Sequence, residues 1–220
     1  MAPRSSSSVW PAVHEERRAL IADLEDLPED AWQRPSLCPG WSVHDVLAHL
    51  VDTARTTRLG FLRGMVRARF DFDRSNADGV RKHRGSSPAE TLEAFRSVQH
   101  RTSGPPAPRA TRLVEAVVHG EDIRRPLGIV RSYSPGAVDA ALAYQAKTSV
   151  KLGGGRELLD GLSLAADDGG FRHGSGDEVR GSTLALLLAV SGRPVRDDEL
   201  SGPGAGTLRG RLSAQLFGNH

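Results

Sequence analysis

Gly40-Trp41-Ser42-Val43-His44-Asp45-Val46-Leu47-Ala48-His49-Leu50 is the stretch from which the fold is read. Pro39 and Gly40 interrupt the backbone ahead of it, and Ser42 is placed to cap a helix. Val43, Val46, Leu47, Leu50 and Val51 then recur with a period near 3.6, which marks a single apolar face. His49 stands at the border of that face, so its ring is carried towards the interior. A histidine there is either a packed core residue or a ligand, and the choice depends on partners supplied elsewhere in the chain.

Reading outward, the spacing predicts a first amphipathic helix over Val9 to Leu27 and a proline-stiffened loop over Arg34 to Gly40. The helix that starts at Ser42 is expected to run to Phe70, with Asp71 to Ser87 as a polar loop over one end of a bundle. Pro88 opens a third helix, and Ala110 to Arg125 forms a fourth, stopped by Pro126 and Gly128. Four helices joined in this way predict a mainly α fold built on an antiparallel four-helix bundle. A further helix follows at Ala137 to Val150, and Gly153-Gly154-Gly155 is read as a linker. The predicted domains are therefore residues 1–150, the bundle, and residues 151–220, a small C-terminal α/β lobe. In the lobe, Leu162 to Ala166 and Phe171 to His173 are expected as paired strands around the Asp168-Gly169-Gly170 turn. Helices are expected at Gly181 to Val190 and around Leu208 to Leu216.

The composition excludes several function classes. Hydrophobic residues are 38% and charged residues 25% of 220, ordinary for a soluble globular chain able to bury a core. No apolar run approaches the ~20 residues that span a bilayer. Met1 to Ser8 leads into no apolar signal region, so a cytoplasmic location is expected. Cys38 is the only cysteine, which rules out an intrachain disulfide and fits a reducing compartment. The formal charge is only +2, and aromatic residues are 5%, a poor match to a nucleic-acid-binding face. Most arginines read as a solvated surface, with a few available for an anionic substrate.

Within the fourth helix, Glu115 and His119 lie four residues apart on one face, and Asp122 follows three residues later. The flanking Leu113, Val114, Val117, Val118 and Ile123 place this face in apolar surroundings, where unpaired polar groups are costly. Together with His49, Glu115 and His119 make a two-histidine, one-carboxylate set that leaves a fourth position open on a zinc-like ion. Nickel, iron or manganese could use the same ligands. The competing reading is a Glu115–His119 hydrogen bond on a helix surface, with His49 unrelated.

Three stretches carry a family resemblance. Trp32 to Leu50 resembles the N-terminal signature of the mycothiol-dependent maleylpyruvate isomerase family, a branch of the DinB-like metal-binding bundles. Glu115-Ala116-Val117-Val118-His119-Gly120-Glu121-Asp122 is similar to the family's second ligand motif, and Gly181 to Arg193 resembles a helix of its sterol-carrier-like C-terminal lobe. The resemblance implies a divalent ion, of zinc type, on His49, Glu115 and His119, with mycothiol as thiol cosubstrate. The partners it implies are a small-molecule substrate and a low-molecular-weight thiol, with neither nucleic acid nor membrane. It also implies an arginine from the smaller lobe holding a substrate carboxylate, for which Arg193 is the candidate and Arg211 the alternative.

The function expected is thus a metal-dependent thiol isomerase or S-transferase acting on a small anionic electrophile. The alternatives are a non-catalytic, metal-stabilised ligand-binding module and a metallohydrolase that activates water. Among neighbouring residues, Asp122 is read either as orienting His119 or as pairing with Arg125. His44 is read as surface, Trp41 as a packing anchor and Cys38 as a packed thiol.

Overall fold

A computed structural model describes residues 8–218; the reading of the N-terminal segment Met1 to Ser8 falls almost wholly outside the described residues. The protein is mainly α, with one small three-stranded sheet. The chain divides into two compact units, the first ending at Arg131 and the second beginning at Ser132.

The first unit contains α1 (Trp10–Leu24), α2 (Val43–Arg55), α3 (Arg58–Arg67), α4 (Phe72–His83), α5 (Pro88–Val98) and α6 (Ala110–Leu127). Helix α2 packs on α5 and α6, and α1 packs on the same two, closing a ring of four. Leu24, Val46, Leu47, Phe95 and Ile123 fill its centre. Helix α2 begins where the sequence places it. The Ser42 hydroxyl accepts from the Asp45 amide at 3.2 Å, and the Asp45 carboxylate accepts from the Ser42 amide at 2.9 Å. This reciprocal cap satisfies two amides that a helix start otherwise leaves bare.

Helix α2 does not continue to Phe70. Thr56 and Thr57 are extended, the Thr56 hydroxyl donates back to the Asp52 carbonyl at 2.9 Å, and Thr57 caps α3. Two consecutive β-branched residues whose hydroxyls bind nearby backbone end the helix by local competition. Nor is Asp71 to Ser87 a loop, because its middle is α4. Asp71 accepts from the Arg74 amide at 3.0 Å, and Arg81, Lys82 and His83 sit at the negative end of the helix. Gly79 lets α4 lie close on α2, since a Cβ there would fall 2.4 Å from an Asp52 carboxylate oxygen.

Buried charge joins α1 to its neighbours. Arg17 donates to the carbonyls of Val98, Gln99 and Arg101, where α5 ends. Arg124, fully buried on α6, donates through Nε to Asp23 at 2.6 Å, and Glu16 receives Arg131 at 3.2 Å.

The second unit holds α7 (Pro135–Gln145), β1 (Leu162–Ala166), β2 (Arg172–Gly174), β3 (Asp177–Gly181), α8 (Thr183–Val190) and α9 (Ala205–Gly218). The sheet order is β2-β1-β3, with β1 antiparallel to β2 and parallel to β3. The division at 131/132 replaces the expected one at 150/151, because α7 packs on α8. Buried Gln145 fixes that arrangement by donating to the Gly153 carbonyl at 2.9 Å and to the Ser191 hydroxyl at 3.0 Å. The triple-glycine segment is therefore a packed turn rather than a linker. Gly155 faces the Val190 carbonyl so closely that a Cβ would lie 2.2 Å from its oxygen. Among the described residues no helix is long and apolar enough to cross a membrane.

Gly155→Ala is expected to destabilise the protein by about 2 kcal/mol, because backbone must shift to admit the methyl group; urea unfolding of the two proteins checks this. His83 provides a pH-dependent test. Burial, with Lys82 and Arg55 nearby, lowers its pKa from 6.5 to about 4. Between these values the unfolded chain holds a proton that the folded one lacks, so stability falls as pH drops through that window. The contribution is on the order of 2 kcal/mol, and stability curves for His83→Gln should lose this part of the acid slope. Asp52, 3.4 Å from His83, has its carboxyl pushed upward by burial and acts in the opposite sense, so its own titration is followed in both proteins.

Candidate functional site

The site is assembled from the loop before α2, from α2 itself and from α6. The loop folds on its own hydrogen bonds. The Ser36 hydroxyl donates to the Trp41 carbonyl at 2.8 Å and accepts from the Cys38 amide at 3.1 Å. The Trp41 amide donates to the Cys38 carbonyl at 3.1 Å, and Gly40 takes a φ of +77° that closes the turn. The Leu37 amide then donates to the backbone carbonyl of Asp122 at 3.1 Å, fastening the loop to α6.

This docking delivers the Cys38 thiol to a polar cluster on α6. Cys38 Sγ donates to Asp122 Oδ2 at 3.0 Å and lies 3.7 Å from His119 Nδ1. His119 Nδ1 and Asp122 Oδ2 are 2.8 Å apart. From α2, the His49 ring meets the His119 ring edge-to-face with centroids 4.8 Å apart, and the Trp41 ring is tilted against His49 at 5.1 Å. Cys38, His49 and Asp122 are buried, whereas the His119 side chain keeps 18% of its surface exposed. The imidazole is therefore the part of the cluster that an incoming molecule reaches. Burial pulls the His119 pKa down, but hydrogen bonding to Asp122 and Cys38 outweighs it, and the value is raised to about 10.

The expected ligand residues are only partly brought together. His49 and His119 are neighbours, although they lie on different helices. Glu115 instead pairs with Arg112 on its own helix, at 2.8 Å, with both side chains about nine-tenths buried. A buried guanidinium requires a counter-ion, and that demand directs the carboxylate. Asp122 touches His119 rather than Arg125, which pairs with Glu121 at 3.0 Å. His44 is buried, not on the surface; its Nε2 lies 2.7 Å from the Thr91 hydroxyl at the α2–α5 contact. Cys38 is packed in the apolar core, as expected, and its thiol also meets His119 and Asp122. The sequence contained no short motif linking residue 38 to residues 119 and 122; only the loop geometry does so.

Among the described residues, one group of three donors lies within 4.8 Å of one another: Cys38, His119 and Asp122. Metal–ligand bonds of ~2.0–2.3 Å in a tetrahedron hold donor atoms roughly 3.3–3.8 Å apart. The 3.0 and 3.7 Å separations to sulfur are close to that, and the 2.8 Å pair would open slightly. A sulfur, nitrogen and oxygen set suits zinc. The hydrogen bond at Nδ1 also offers a second arrangement: a neutral His119 that donates from Nδ1 presents the lone pair of Nε2.

A family model described as the mycothiol maleylpyruvate isomerase N-terminal domain matches residues 13–104, which run from α1 through α5. The first unit of the chain is similar to this domain over those residues. The matched segment contributes Cys38, Trp41 and His49, while His119 and Asp122 come from α6, beyond the matched residues. Two solved structures share the fold. One is the mycothiol-dependent maleylpyruvate isomerase, at TM-score 0.57 and 13% identity, and the other is a histidine-to-alanine mutant of the mycothiol-dependent maleylpyruvate isomerase, at 0.60 and 14%. Each alignment covers 89% of this chain and 92% of the other. Two uncharacterized proteins from two strains of Mycobacterium tuberculosis are each 30% identical over 138 residues, 51% of this chain and 52% of theirs. The chain thus spans about half the length of the curated relatives it matches.

In metal-free protein, the His119 imidazole is expected to titrate far above the usual 6.5. Asp122→Asn should bring that value down towards or below 6.5, because burial then dominates; histidine NMR signals followed against pH check both values.

Proposed function

We propose that the chain is a thiol-dependent isomerase or S-transferase of the mycothiol-using kind, acting on a small anionic electrophile with the help of a divalent ion. The observation that carries this reading is the meeting of two imidazoles from separate helices, one of them fixed by a buried carboxylate. His49 and His119 would hold the ion through ring nitrogens, with Glu115 as third donor once its carboxylate leaves Arg112. A divalent ion bound there lowers the pKa of a thiol and keeps it as thiolate at neutral pH.

The chain's own residues supply the remaining conditions. Asp122 accepts from His119 Nδ1, which fixes the tautomer and aims the ring. Trp41 against His49 restricts that ring's rotation and shields it from water. The exposed part of His119 provides the entry. Arg193 remains the proposed anchor for a substrate carboxylate.

A second reading is favoured by the triangle of Cys38, His119 and Asp122. An ion held there by protein sulfur would be structural, and the unit would be a metal-stabilised binding module. Cobalt(II) in place of zinc separates the two. Under the enzyme reading, Cys38→Ser leaves cobalt binding within about threefold of wild type, added mycothiol creates a sulfur-to-cobalt absorption band, and His49→Ala lowers cobalt affinity by at least about tenfold. A band already present without thiol and lost in Cys38→Ser would establish the structural site instead. Failure of wild type to take up cobalt or zinc would remove the metal from both readings.

A further inference from the structure

The first unit also contains a cleft of about 370 Å³ that the reading above does not use. It lies between the start of α1, the α2–α3 break, residues 102–107 and the start of α6. Arg58, Arg109 and Arg112 line it together with Trp10, Thr57 and Thr111, and no acidic residue does. Its volume is that of a small-molecule site.

Two of the three guanidinium charges in the cleft have no acidic partner among the described residues. Neither Arg58 nor Arg109 has a carboxylate partner among the described residues. Arg112 is anchored from behind: Glu115 meets its Nη1 at 2.8 Å, and a Cβ at Gly104 would lie 3.4 Å from its Cδ. Helices α3 and α6 both begin at the cleft, and neither has an acidic residue in its first turn. Their positive ends add to the three guanidinium groups. The like charges of Arg58 and Arg109 on one concavity repel one another, and elsewhere on this protein arginines pair with acids, as Arg96 does with Glu25 and Arg180 with Asp167. A bound anion would relieve the repulsion, and planar guanidinium groups suit the paired oxygens of a carboxylate. Trp10 contributes an indole, an apolar wall for a carbon skeleton rather than for a bare inorganic ion.

We infer that this cleft binds a small organic dianion, its carboxylates held by Arg58 and Arg109 and its carbon chain against Trp10. The carboxylate contacts are assigned to Arg58 and Arg109, side chains separate from the His49, Glu115 and His119 of the metal reading, so each reading is tested on its own residues.

Calorimetric titration of chelator-treated protein with succinate tests it. Succinate should bind saturably at one site, and the neutral diamide succinamide should not bind. Inorganic phosphate should bind more weakly than succinate. Arg58→Gln/Arg109→Gln should weaken succinate binding by at least about tenfold, with circular dichroism and zinc uptake unchanged. His49→Ala should bind succinate as wild type does. Trp10→Phe should abolish the change in tryptophan fluorescence that accompanies binding. The inference is overturned by an absence of saturable succinate binding up to about 10 mM, a range wide enough to include weak metabolite sites. Undiminished binding in the double arginine variant, or equal binding of succinamide, overturns it as well.

Discussion

The carboxylate of Asp122 is the constraint on which the site depends. It is fully buried, so its charge must be met by donors within the protein, among them the thiol of Cys38 and the imidazole of His119. The backbone carbonyl of the same residue receives the Leu37 amide. One residue on α6 therefore fixes both the loop that precedes α2 and the ring beside it. Once the loop is docked, α2 brings His49 against His119 without further adjustment.

The first unit resolves a conflict between two buried demands on α6. Arg112 and His119 lie about two helical turns apart, and Glu115 lies between them. A guanidinium desolvated on one side requires a carboxylate, and Glu115 answers that requirement. Asp122 then supplies the negative charge at His119. The polar face of α6 is thus divided into two pairs, one at the arginine-lined cleft and one at the imidazole cluster.

Much of this was legible in the sequence. The capped start of α2, the apolar face that carries His49, and α6 with its Glu115-to-Asp122 series all follow from local periodicity and capping, and the fold class follows from them. What was not legible depended on interactions between distant segments. The end of α2 was hidden because Thr56 and Thr57 stop a helix through backbone contacts rather than through glycine or proline. The helix at Phe72–His83 was hidden by low apolar content, being held by its Asp71 cap and by one buried face against α2. The domain boundary was misplaced because three successive glycines read as flexibility, whereas two of them are buried where only a missing side chain fits. Cys38 had no neighbour in sequence to declare its role; its partners are 81 and 84 residues away.

The loop around Cys38 closes through Ser36, Gly40 and Trp41 before any contact with α6 is counted. Its conformational entropy is consequently surrendered to short-range bonds, and joining the helix is close to the docking of a rigid body. The thiol therefore arrives already aimed, in the manner of a preassembled part, and the precision of the cluster is inherited from a turn of a few residues rather than from the long chain that separates its members.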